Sequence, residues 1–421
     1  MTKLTQKFST QAFCTLIRFV TLALFLTFFG ASTVLAQTRA YVTNTADDTV
    51  SVIDTVSKTV VATVPVGLFP SAIAVTPNGA FVYVTNFGGA SVSVIATTTN
   101  TVIATVPVGI APNGVAITPD GAFAYVTNRF SDNVSVINTT TNTVVTTVPV
   151  GLNPIGVAMA PNGALAYVAN GTSSSISIIN TTTHTVVATI PGMAVPNFLA
   201  VTPNGAFLYV TNALGSDVRV IDTATNTIVA TIPIRDTSVG GVPVGIDITP
   251  DGAFVYVANV AIGTVSVIST ATNTITATVP VGPVSLGLAI NPSGTLVYVP
   301  NIGNTISVID TATNTVTDTI QTGNSPTTVA FQKRTSIGSL IAQVQALVGG
   351  GVLTQNAADN LIKKLEGTQA KLDKGQTAAV CGQLGSFINQ VNAFIKNGSI
   401  ATIEGQALID AAAAIKASFG C

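Results

Sequence analysis

Few residues in this chain are equipped for chemistry. Residues 37–334 contain no Glu and no Cys, and their one His is His184. His184 stands in THTVVAT, where other copies of a 42-residue repeat carry Asn or, once, Lys. It reads as a solvated residue of a hairpin loop at the outer edge. No GxSxG, HExxH, CxxC or phosphate-binding loop is present. No catalytic residue, metal ligand or cofactor is therefore assigned. What remains is irregularity. Within Arg235–Gly241 (RDTSVGG) the fifth repeat unit carries five extra residues. Arg235 offers a planar cation suited to carboxylate or phosphate, and Asp236 an acceptor. Asp247 follows in GIDIT, where the equivalent residues are Ala74, Ala116, Ala158, Ala200, Ala289 and Ala330. A partly buried carboxylate needs a partner: Arg235, a backbone donor, a cation or a ligand group. Arg235, Asp236 and Asp247 are the candidate ligand-binding residues, expected at the channel mouth that the 235–241 loop borders. The competing reading is a local ion-pair or hydrogen-bonding role in a tolerated loop.

The elements that position these residues follow from the tyrosines. All seven open a repeat: Tyr41, Tyr83, Tyr125, Tyr167, Tyr209, Tyr256 and Tyr298, spaced by 42 except for one interval of 47. This period suits propeller blades of four strands. The unit that starts at Tyr83 contains four Val/Ile/Thr-rich runs of strand length, AFVYVTN, SVSVI, TVIATVPV and NGVAIT. TPDG is a tight hairpin turn, since its Gly can take positive φ. The apolar period of two and the abundance of β-branched residues exclude helix. The first unit lacks a preceding AIAVTP-type strand, and the last leaves one over at 327–331. Three N-terminal strands, near 39–44, 49–53 and 59–65, are thus completed by the C-terminal one. The fold class is an all-β seven-bladed propeller of four-stranded antiparallel blades with 3+1 ring closure, which removes free edges. The Asn that ends each YVTN strand recurs seven times, so it reads as structural, bonding the following turn.

Composition sets the class of protein. Only 8% of the 421 residues are charged, against ~25% in an average chain, while 47% are hydrophobic and mean hydropathy is +0.59. Lys3, Lys7 and Arg18 precede the apolar stretch Phe19–Gly30, and ASTVLA (31–36) ends in a small-residue cleavage pattern. Residues 1–36 are expected to be a cleaved export signal. No second apolar run reaches the ~20 residues of a membrane span. The mature chain would carry 13 Lys/Arg against 17 Asp/Glu, which disfavours nucleic acid as a partner. Its two remaining cysteines, Cys381 and Cys421, suggest one disulfide in an exported chain.

Composition changes at Arg334. Ala, Leu, Lys and Gln replace Thr and Val, and apolar residues take helical spacing at Ile337, Leu340, Ile341 and Val344, then at Leu361, Ile362 and Leu365. Two more such runs follow, Val380–Ile395 and Ile403–Phe419. A small all-α bundle is expected over 335–421.

The YVTN, VSVID, TATNT and VAVTPDG-like segments resemble the YVTN-family β-propeller repeat of secreted and surface proteins of prokaryotes, over about residues 38–334. That resemblance implies a seven-bladed propeller but no single activity, since related propellers include surface-layer proteins, binding proteins and lactonase-like enzymes. The run QLGSFINQVNAFIKNGSIATIEGQALIDAAAAI (383–415) resembles the C-terminal FIMAH-type domain of bacterial extracellular proteins. The domains are accordingly a signal peptide (1–36), a propeller (37–334) and a helical domain (335–421). The function expected is an exported binding, scaffold or surface-associated protein without evident catalytic machinery. It would be extracellular, at the cell surface or periplasmic, and its partner an extracytoplasmic protein, glycan or small ligand. The alternative is a lactonase-like or other hydrolytic propeller.

Overall fold

The computed structural model describes residues 39–234, 241–282, 286–332, 337–349, 352–372, 374–419 and 421. The expected signal peptide and the domain boundary at 334/335 lie outside the described residues.

Seven four-stranded antiparallel sheets form the propeller. Blades 1 to 6 span 70–107, 112–149, 154–190, 196–233, 243–280 and 289–321. Blade 7 joins both ends of the ring: β1 (Arg39–Asn44), β2 (Thr49–Asp54) and β3 (Thr59–Pro65) pair with the C-terminal strand Pro326–Phe331 in the expected 3+1 closure. Tyr41 pairs with Ala330 in that junction.

Burial tells each strand's place. The second and third strands of a blade are buried on both faces, as in FVYVTN (81–86), because each blade is sandwiched between two others. The outer strands alternate, as in TVIATVP (101–107), because one side faces solvent. The core therefore lies between blades. Tyr41, Val50 and Val52 of blade 7 pack against Ile73, Val82, Val84 and Ile95 of blade 1. Each such buried aliphatic side chain contributes ~1.5–3 kcal/mol. The hairpin from inner to second strand turns on glycines at positive φ, such as Gly79 at 70°, a geometry that costs glycine no Cβ clash.

Among the described residues four helices follow the propeller: α1 (Ile337–Gly349), α2 (Gln355–Leu372), α3 (Thr377–Lys396) and α4 (Thr402–Ser418). They bury Leu340, Val344, Leu361, Leu365, Leu384, Phe387, Leu408 and Ile415 in one core. The Ile403 side chain lies outside the described ones. Cys381 on α3 is disulfide-bonded to Cys421, with the Cα atoms 6.1 Å apart. In the chain-entropy treatment, closing a loop of this length is worth ~4 kcal/mol. None of these helices is long and apolar enough to cross a membrane, among the described residues.

Candidate functional site

The walls of the axial channel are the seven inner strands, held to one another by side chains that the repeat supplies. Thr in YVTN bridges to the next blade's inner strand. Thr43 donates to Ser71 O (3.2 Å), Thr85 to Asn113 O (2.9 Å), Thr127 to Ile155 O (2.6 Å) and Thr211 to Val244 O (2.8 Å). Blades 3, 5 and 6 carry Ala169, Ala258 and Pro300 at this position and have no hydroxyl to give, and of these blade 5 has a carboxylate on its inner strand. There Asp247 makes the link instead. Its Oδ2 accepts from the Ile290 N–H of blade 6 (2.8 Å), and its Oδ1 from the Ile248 N–H (2.8 Å). The carboxylate that breaks the alanine ring thus ties blades 5 and 6 together where the threonine tie is missing.

Farther out, the repeated Tyr reaches the next blade's outer turn. Tyr41 bonds Asn100, Tyr83 bonds Asn142, Tyr209 bonds Asn273 and Tyr256 bonds Asn314. Those Asn residues sit at φ of 52–54°, a left-handed conformation that Asn tolerates. At the joint between blades 2 and 3 His184 takes the same place. Its Nδ1 lies 2.7 Å from Tyr125 Oη, and its ring meets Phe123 edge-on at 5.2 Å. It is therefore a half-buried inter-blade wedge rather than a solvated loop residue, and burial lowers its pKa. Burial also pushes the Tyr83, Tyr125, Tyr209 and Tyr256 hydroxyls up to about 12, so these phenols are donors, not bases, near neutral pH.

The seven Asn residues are buried as well. Asn86 Nδ2 donates to Ser91 Oγ and Ser93 Oγ (both 3.0 Å), and its Oδ1 accepts from the Gly67 N–H (3.1 Å). The incoming loop lies flat on this side chain, so closely that a Cβ on Gly67 would come within 2.5 Å of it. The repeat's own polar residues are thus spent on architecture.

A cavity of about 540 Å³ opens at the end of the channel where outer strands connect to the next inner strands. Blades 1, 2, 5, 6 and 7 and their connections contribute to it. Phe69, Phe87, Val260, Leu286, Ile302 and Pro326 give apolar walls, and Thr45, Ser71, Asn113, Ser325 and Thr327 give hydroxyl and amide groups. Arg129 is the one ionisable side chain among the lining residues. Its Nε donates to Asn153 Oδ1 (2.7 Å), and its guanidinium lies 6.0 Å from the Phe130 ring centroid. No group of three or more His, Cys, Asp or Glu that could hold a metal is found among the described residues.

Of the candidate residues read from sequence, the structure describes Asp247. Arg235 and Asp236 lie outside the described residues. Asp247 stands four residues beyond Pro243, the first residue of its strand. At ~3.3 Å per residue that is about 13 Å along the strand from the mouth, and Asp247 does not line the cavity there. The side chains that do line it, Phe69, Phe87 and Arg129, escaped sequence reading. The signal was available. Arg129 follows YVTN at a position that differs in every unit, where the others carry Thr45, Phe87, Gly171, Ala213, Val260 and Ile302, so it breaks no repeat, but it is the one charged residue of that set.

Comparison with known proteins agrees with this architecture. The family model for the seven-bladed β-propeller lactonases matches residues 32–143, 98–190 and 180–304. No curated protein matches the chain. Among solved structures, Kuenenia stuttgartiensis hydrazine synthase aligns at 25% identity and a TM-score of 0.60, covering 65% of this chain and 92% of that one. A protein from Lactobacillus plantarum aligns at 17% identity and a TM-score of 0.62, covering 70% and 99%. A candidate 6-phosphogluconolactonase from Bacteroides uniformis aligns at 19% identity and a TM-score of 0.60, again covering 70% and 99%. Both of the latter speak for the fold alone. With its family match spanning more than half its length, and seven closed blades to go with it, the chain belongs to the lactonase family of seven-bladed β-propellers.

Proposed function

We propose that this propeller is an exported binding or scaffold protein of the YVTN-repeat type, which receives its partner at the channel mouth and does not turn it over. The observation that carries this reading is the lining of that mouth. Among the described residues it holds apolar walls, a few hydroxyls and one arginine, and no carboxylate, imidazole or thiol that could serve as acid, base or nucleophile. The positively charged, then apolar, then small-residue order of 1–36 and the Cys381–Cys421 bond support export to an oxidising compartment. The helical domain, of FIMAH type, would then act beside the propeller outside the cytoplasm. Cell fractionation with signal-processing analysis tests the location. A mature N-terminus at Gln37 in the envelope or culture fluid is expected, and an unprocessed cytoplasmic chain would overturn it.

Family membership favours a second reading, hydrolysis of a lactone. Asp236 is the carboxylate it could draw on, on the loop that carries the five-residue insertion. Lactone opening releases a proton, so pH-stat titration of the full chain against aldonolactones, with and without added divalent metal, separates the two readings. No turnover above the uncatalysed rate is expected. Turnover that Asp236→Asn abolishes would establish the hydrolase.

A further inference from the structure

We infer that the channel mouth is a binding site for a small amphipathic monoanion, an apolar body carrying one carboxylate, with Arg129 as the anion's partner. This deepens the binding reading above and rests on it.

Size comes first. A volume of about 540 Å³ falls within the ~300–1,000 Å³ of small-molecule sites. The wall chemistry follows. Phe69, Leu286 and Ile302 are 53%, 41% and 61% exposed, a concentration of apolar surface around one concavity that an apolar ligand would remove from water. The fold does not require these residues. The position of Phe69 is held at positive φ in several units, where Ala111, Asn153 and Ser325 stand at 55°, 60° and 52°. Phe69 takes the same strained conformation at 51°, although a bulky residue fits it less well than Asn or Gly. Its ring is set in place: the Phe69 N–H donates to Asp48 Oδ1 (2.7 Å), and a Cβ on Gly88 would come within 2.5 Å of its ring. Phe87 is braced by its backbone bond to Phe69 O (3.0 Å) and by an edge contact with Phe130 at 6.0 Å. An aromatic wall held this way loses little freedom on binding.

The charge decides the ligand's polar end. Arg129 uses Nε on Asn153 and forms no ion pair with a carboxylate among the described residues. Its terminal N–H groups match a carboxylate's two oxygens. One cation answers one negative charge. The neighbouring turns also carry Asp47, Asp48 and Asp132, each committed to a backbone N–H, of Asn324, Phe69 and Asn153 respectively, and these fixed carboxylates oppose any anion but a dianion about twice as strongly as a monoanion.

Isothermal titration of the full chain with decanoate tests this, with decyl maltoside as an uncharged amphiphile. Decanoate should bind one to one and more tightly than the maltoside. Arg129→Gln should weaken decanoate at least tenfold and leave the maltoside unchanged. Leu286→Glu, which puts a like charge in the cavity without touching Arg129, should also weaken decanoate selectively. Thermal unfolding verifies that both variants stay folded. Unchanged decanoate affinity in Arg129→Gln overturns the inference, as does non-saturable decanoate binding. Equal affinity for both amphiphiles overturns the anion assignment while leaving the binding reading standing; lactone turnover would sink that reading on its own.

Discussion

The two ends of the propeller channel are closed by equal sets of loops with opposite chemistry. At the end carrying the TPNG and TTTN turns, the connections are polar and nearly identical from blade to blade. Thr76 Oγ1 bonds Asn78, Thr118 bonds Asp120, Thr202 bonds Asn204 and Thr249 bonds Asp251. At the other end the loops differ from blade to blade and expose apolar side chains, among them Leu68, Phe69, Ile110, Phe130, Leu152, Leu214 and Ile302 at 52–79%. A tight hairpin admits few sequences, so the first end converges on one solution. The second end's longer connections are anchored by the buried Asn and by glycine, which leaves their tips free to vary. The difference teaches that repetition marks framework here, and that function is to be sought in the loops that vary.

The most severe way to break this comparison is to open the ring both ends share. A chain ending at Gly323 loses the strand that completes blade 7 and leaves β1 as an unpaired sheet edge. It should lose cooperative unfolding or aggregate, whereas a chain ending at Arg334 should not. Equal denaturation curves for the two would refute closure as the source of stability. A smaller effect is expected at Asp247, on the framework side of the boundary despite its irregularity. Asp247→Ala restores the repeat yet removes the acceptor for the Ile290 and Ile248 N–H groups. It should cost roughly 1–2 kcal/mol in chemical denaturation and leave decanoate binding unchanged. A stabilised variant, or one with altered affinity, would move Asp247 out of the framework.

The smallest effect concerns pH. His184 has its pKa lowered by burial, so the folded chain binds fewer protons than the unfolded one in the window below the unfolded value of ~6.5. Stability from this joint is complete above that value and is lost as pH falls through the window. His184→Asn, the repeat's own residue, should flatten the fall in Tm between pH 7.5 and 5. Parallel profiles for variant and wild type would show that the imidazole is not strained by its site.

Much of the fold was legible because the repeat states it seven times. Tyr spacing, the turn at TPDG and the unpaired strand at either end dictate blade count and closure. The helices followed from apolar spacing. Less of the site was legible. Periodicity shows that Asp247 is odd but not what it touches, because the lost Thr at Ala258 lies on another strand and the two meet only in three dimensions. His184 was read as solvated because its partner Tyr125 lies 59 residues away, on the neighbouring blade. Phe69 and Phe87 were hidden by ordinary hydrophobicity, since nothing in sequence distinguishes an apolar residue at a rim from one in a core.

Hydrogen exchange read by mass spectrometry on the full chain, with and without saturating decanoate, tests most directly the claim that variable loops hold the function. Protection should appear in 66–71, 87–90 and 128–132 and be absent from the TPNG and TTTN turns. Protection confined to those turns, or no change at the mouth, would contradict the account.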